Sequence, residues 1–239
     1  KAGRSVPTPP DRRRTARRLD VGDLLAGRFQ SPAEALEQPR VHGARAVCET
    51  GGMESQMTLK KAATTMATIV AVLWGIELVD HVVRHWFDRF GVHPRTTQGL
   101  LEIFSAPVLH HGWTHLIGNT IPLFVLGLLV LMAGAQTFAA VTLVSVLGSG
   151  LLVWTFAASN SVTLGASGVV FGYLAYILVR AFYTRQLSHM AIAIVVAVAY
   201  GSMLFGLLPL RAGVSWLAHL GGALGGVASA PLLQPRGQA

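Results

Sequence analysis

Ser167 stands in Gly165-Ala166-Ser167-Gly168, inside a stretch with no charged residue from Ile103 to Val179. Downstream, His219 stands in Ala218-His219-Leu220-Gly221-Gly222, again in apolar sequence. A serine hydroxyl becomes a nucleophile when a base takes its proton, and histidine is the usual base. An acid often orients that histidine. No Asp or Glu occurs from Ile103 to Ala239, so a third member would have to come from Glu77, Asp80, Asp88 or Glu102. A Ser167–His219 dyad is the simpler expectation, with Ser167 attacking a peptide carbonyl and His219 taking and returning the proton. The developing oxyanion needs hydrogen-bond donors. His115 and Asn119 are four apart, on one helical face, and both can donate. The backbone N–H of Ser167, at a helix start, is a third donor.

Each of these residues also has a plainer reading. Gly-Ala-Ser-Gly alone is usually a packing patch in a membrane helix, and a lone histidine is more often structural. A histidine group at His110, His111 and His115 could hold a metal, but no nearby carboxylate or thiol in the sequence supports that. Their joint occurrence at one expected depth favours chemistry, because ionisable groups in a bilayer are costly and tend to mark function. The glycines have a structural part. Gly165 and Gly168 let the backbone turn and approach closely around Ser167. Gly222 and Gly226 form a small-xxx-small ridge beyond His219, and Gly221 and Gly225 form another. Such ridges let membrane helices pack at short distance. Val169 follows Gly168, so the segment is not the Gly-x-Ser-x-Gly elbow of soluble hydrolases.

The elements that must position these residues are apolar spans. Of the 239 residues, 52% are hydrophobic and 13% charged, about half the usual globular share of charge. Ten of the 19 Lys and Arg and seven of the 11 Asp and Glu lie in residues 1–57. That Arg- and Pro-rich tail, with a short helix near Val21–Leu25 as the alternative, is expected to be disordered, because it has too few apolar residues to offset chain entropy. Residues 58–239 form the second, membrane domain. A start at Met53 or Met57 would place Lys60 and Lys61 directly before the first apolar span. The net charge of +8 and a pI near 10.6 do not point to nucleic acid. The arginines of the hydrophobic part lie at span ends, where membrane topology explains them. Cys48 is the one cysteine, which excludes an intrachain disulfide and a cysteine-based metal site.

From residue 62 the pattern gives six spans of about 20 residues, the length that crosses a bilayer. They are 64–84, 114–133, 136–157, 165–184, 189–208 and 214–233. The fold class expected is therefore an all-α membrane protein. Lys60, Lys61, Arg180, Arg185 and Arg236 fall on one side, and the positive-inside rule puts that side in the cytoplasm with both termini. Ser167, His219 and the His110–Asn119 group then lie at similar depth in the outer half of the membrane.

Three segments together resemble the signatures of rhomboid intramembrane serine proteases: His115-Leu-Ile-Gly-Asn119, Gly165-Ala-Ser167-Gly168, and Ala218-His219-Leu-Gly-Gly222-Ala-Leu-Gly-Gly226. The resemblance covers about residues 64–233 and includes the six-span bundle. It implies a catalytic dyad of Ser167 and His219 and an oxyanion hole from His115, Asn119 and the Ser167 backbone. It also implies that His110 matches a further histidine near the active site. Substrates would be single-span or other membrane proteins cut near helix-destabilising residues, within the lipid bilayer and without metal or cofactor. A bacterial plasma membrane is the expected location. Phe171 stands where many members have a tyrosine that stacks on the catalytic histidine; phenylalanine keeps the stacking. The family's Trp-Arg pair of the first loop has no match, and Arg95 is the nearest arginine. The competing readings are an inactive rhomboid-like protein that binds client helices, and, more weakly, a small transporter, for which no paired repeat is found.

Overall fold

The computed structural model describes residues 57–210 and 213–233. The tail, Arg211 and Arg236 lie outside the described residues. Seven α-helices follow in order: α1 Leu59–Val82, α2 Thr97–Ser105, α3 Trp113–Met132, α4 Ala135–Phe156, α5 Ser167–Thr184, α6 Leu187–Tyr200 and α7 Trp216–Leu232. Short 3-10 turns sit at Trp86–Phe90, Ala106–Val108 and Gly201–Leu207. No strand occurs among the described residues; one isolated bridge pairs Val92 with Thr163.

The helix starts follow local chemistry. The Thr58 side chain accepts from the Lys61 N–H at the head of α1. Thr96 accepts from the Gly99 N–H at 2.9 Å, and Ser215 caps α7 through the Ala218 N–H. Each hydroxyl satisfies a donor that has no partner within its helix. Ala133 and Gly134, the latter at φ +129°, turn α3 tightly into α4.

Five helical segments are long and apolar enough to cross a membrane: 59–82, 113–132, 135–156, 167–184 and 187–207. The sixth expected span, α7, is 17 residues long and falls short of that length on its own. It is the glycine-rich helix, and it packs chiefly against α5 and α4. The fifth span also departs from a single α-helix, tightening to a 3-10 turn at Gly201–Leu207. Large apolar side chains such as Ile194, Val195 and Val198 stand exposed on α6. A stripe of that kind needs hydrocarbon around it. This is an integral membrane protein with an all-α bundle.

The packing of α7 follows from its two glycine ridges. Gly222 and Gly226 lie against the backbone of Gly168 and Gly172 on α5, while Gly221 lies against Gly148 on α4. Gly225 meets the backbone of Val144 and Ser145. A Cβ at Gly222 would run into the Gly168 carbonyl, so only glycine allows this approach.

The loop between α1 and α3 holds the turn before Ser167. Val92 and Thr163 exchange backbone hydrogen bonds at 2.8 and 3.2 Å, and the Gly165 N–H donates to the Ala106 carbonyl at 2.8 Å. The loop is in turn fixed to the end of α4. Arg95 donates to the Thr155 carbonyl and the Ser159 hydroxyl, and the Trp154 indole donates to the Thr96 carbonyl at 2.7 Å. Glu102, buried, accepts from the His93 backbone and ring and from Gln98. Arg95 with Trp154 thus anchors a loop that the sequence left without an anchor. On α2, Leu101 and Phe104 face outward, and Ile103 packs on Gly150.

Candidate active site

Ser167 is the first residue of α5, so its N–H has no carbonyl acceptor within the helix. Gly165, two residues earlier, has φ +125°, a conformation that glycine adopts without steric cost. The His115 ring occupies the space that a Gly165 side chain would need. A substitution at Gly165 therefore meets both backbone strain and the imidazole.

His219 lies one turn into α7 and is buried, while Ser167 is half-buried. His219 Nε2 is 2.9 Å from Ser167 Oγ. His219 Nδ1 is 2.8 Å from the main-chain oxygen of Gly206. A carbonyl oxygen can only accept, so Nδ1 carries the proton. In neutral imidazole Nε2 is then the acceptor, facing the serine hydroxyl. None of Glu77, Asp80, Asp88 or Glu102 orients the histidine; the main chain of the 3-10 turn does. The Phe171 ring stacks on the imidazole at 4.1 Å between centroids and 11° between planes. Gly206 has no side chain where a Cβ would lie 2.9 Å from the Phe171 ring and 3.2 Å from His219 Nδ1.

The other expected residues gather on the same side. His110 Nε2 accepts from the Ala166 N–H at 3.4 Å, and its ring meets His115 edge-on at 5.3 Å. Asn119 is buried, and its Nδ2 donates to the His115 carbonyl at 3.1 Å, back along its own helix. Gly168 and Gly222 meet directly behind Ser167, and Gly226 meets Gly172 one turn lower. An apolar cleft of about 420 Å3, lined by Leu73, Phe104, Leu123, Val169 and Tyr173 among others, reaches Ala166.

The Rhomboid domain profile matches residues 97–236. The chain belongs to the rhomboid family. An uncharacterized protein of Mycobacterium tuberculosis (strain ATCC 25618 / H37Rv) is 40% identical over 178 residues, covering 71% of this chain and 74% of its own. One of Mycobacterium bovis matches to the same extent, and one of Mycobacterium leprae is 40% identical over 177 residues, covering 71% and 70%. In this rhomboid the three motifs stand on α3, α5 and α7, and one end of the bundle brings them together.

His110 gives the site an acid limit. It is 2% exposed and its Nδ1 has no hydrogen-bond partner. Burial, helped by the neighbouring His115, pushes its imidazole down from 6.5 to about 4. Between those values the unfolded chain takes up a proton that the folded protein refuses, so stability falls as the pH drops through that window. The full effect is about 3 kcal/mol. We expect the thermal midpoint to fall from pH 6.5 to pH 4, and His110→Gln to flatten that slope. An equal slope in the variant would assign the acid sensitivity to another group.

Proposed function

We propose that this rhomboid-family protein is an intramembrane serine endopeptidase that hydrolyses peptide bonds in or near the transmembrane segments of membrane-anchored proteins. The observation that carries the reading is the pair of contacts on His219: Nδ1 to the Gly206 carbonyl and Nε2 to the Ser167 hydroxyl. One contact selects the tautomer and the other uses it.

Ser167 Oγ bonds to the scissile carbonyl carbon while its proton passes to His219 Nε2. The carbonyl π pair moves to oxygen, where the Ser167 N–H, His115 and Asn119 serve as donors. Asn119 turns its amide from the His115 carbonyl to do so. Helix α5 adds the positive end of its dipole at the same point. Collapse of the intermediate breaks the C–N bond, and His219 gives its proton to the leaving amine. Water then attacks the acyl-serine, with His219 again as base, and Ser167 is regenerated. The imidazolium formed twice in this cycle has no carboxylate beside it. Its positive charge is spread against the Gly206 carbonyl and the face of Phe171, a cation–π contact. No metal or cofactor takes part. The substrates are membrane proteins, single-span ones among them, and the enzyme works in a bacterial plasma membrane with both termini in the cytoplasm.

The test is cleavage of a tagged single-span reporter in liposomes by the parent and by Ser167→Ala. Cleavage by the parent that falls to background in the variant is the expected result. Equal cleavage by both would remove Ser167 from the chemistry. Retained reporter binding without any product would favour a rhomboid that only binds client helices.

A further inference from the structure

A second group of titratable side chains, unused by the proposed hydrolysis, lies beside the His110–His115 pair. Helix α1 ends in Glu77, Asp80 and His81. The chain then turns back through Arg84 and His85, at φ 56° and 59°, into the 3-10 turn that carries Asp88. Left-handed backbone is unfavourable for residues with a Cβ, and its use at two successive positions calls for a reason. Its effect is to bring His85 back over the helix it has just left. His85 Nδ1 lies 3.3 Å from Asp80 Oδ2, and the Phe87 N–H donates to Asp80 Oδ1 at 2.7 Å. Asp88 Oδ2 meets His111 Nδ1 at 2.7 Å. One donor atom from each of Asp80, His85 and Asp88 lies within 4.8 Å of the others.

Hydrogen bonds among these groups do not account for all of them. Glu77 is 1% exposed, and neither of its carboxylate oxygens has a hydrogen-bond partner. Glu77 lies three residues before Asp80 and four before His81, on the same face of α1. Asp88 Oδ1 is likewise buried without a partner. Buried carboxylates of this kind are normally paired or bound to a cation. No lysine or arginine forms an ion pair with Glu77, Asp80 or Asp88 among the described residues.

We propose that Asp80, His85 and Asp88 bind one divalent cation of the zinc class, with the unpartnered Glu77 carboxyl one helical turn away and His111 orienting Asp88. An imidazole among the donors favours a transition metal over Mg2+ or Ca2+, which take oxygen ligands. Zinc holds its ligands at about 2.0–2.2 Å, so small side-chain rotations close this set around one ion. The side chains of His85 and His111 are 40% and 79% exposed, which leaves the site open to solvent on one flank. The ion would tie the end of α1 to the segment that leads into α3. Ser167 and His219 are on α5 and α7, and neither is among the proposed ligands. The inference stands whether or not the chain is a protease.

The experiment uses the full chain in detergent, purified with a histidine-free tag, stripped with chelator and titrated calorimetrically with ZnCl2. One tight equivalent in the parent is expected, with MgCl2 unable to displace it. Asp88→Asn and His85→Gln should each weaken it by about tenfold or more while remaining monodisperse. A parent with no saturable zinc binding would overturn the proposal, and so would undiminished binding in both variants. Should a variant fail to fold, the parent alone decides. Zinc should protect His85, and not His189, from acylation by diethyl pyrocarbonate; equal modification of His85 with and without zinc would rule the site out.

Discussion

Replacing His219 with alanine is expected to slow reporter cleavage by a factor on the order of 10^4 to 10^6, and adding Ser167→Ala should slow it no further. A nucleophile and its base act as a unit: without the base the hydroxyl keeps its proton, and without the hydroxyl the base has nothing to deprotonate. The 2.9 Å contact between Nε2 and Oγ is the structural form of that dependence. Single-turnover rates in liposomes for the two single variants and the double variant would measure it. If the double variant lost the product of the two single effects, the residues would be acting independently and the dyad would be wrong. The same geometry predicts what should matter less. Glu102 is occupied with His93 and Gln98, and Asp80 with Phe87 and His85. Neither holds His219, so replacing either acid changes the bundle around the site rather than the proton transfer itself.

The residues of the candidate site stand out in the sequence because each carries an unusual side chain in an apolar setting. Ser167, His219, His115 and Asn119 stand out against leucine and valine, and the spacing of the apolar spans puts them at one depth. The support of His219 was not legible. It comes from the main-chain oxygen of Gly206, and every residue carries the same oxygen, so no side-chain pattern marks it. What selects Gly206 is the 3-10 tightening of residues 201–207 and the absence of a side chain against Phe171. Hydropathy reads that stretch as the end of an ordinary span. Loop anchoring was missed for a related reason. Arg95 and Trp154 are 59 positions apart, and the Arg95 side chain reaches one backbone carbonyl and a serine hydroxyl rather than an opposite charge. The glycine ridges were legible as close-packing surfaces. Which helix each ridge faces was settled only in three dimensions, with Gly222 and Gly226 on α5 and Gly221 and Gly225 on α4.

Gly222→Val is expected to reduce cleavage by about 10^2-fold or more and to lower the thermal midpoint. Gly222 is three residues beyond His219, and its place on α7 is set against the carbonyl, carbonyl carbon and Cα of Gly168. All three are main-chain atoms next to Ser167, so no rotamer change can make room and the two helices must part. Overpacking of this kind destabilises by about 1–3 kcal/mol in a well-packed interior. The functional loss should be larger than the loss of fold, because the contact between Ser167 and His219 spans the same two helices. A shift of about 1 Å at reacting atoms is enough for a 10^2-fold loss. Gly222→Ala should give an intermediate loss, since its single methyl meets the same carbonyl with less bulk behind it. Gly75→Ala on α1 is the matched control: nothing lies within 4 Å of its Cβ position, and alanine is the better helix former. Parallel measurements of cleavage and melting would separate the two effects. A Gly222→Val protein that cleaves at the parent rate would mean that α5 and α7 are not held at the distance seen here, and the route from glycine ridge to dyad would have to be abandoned.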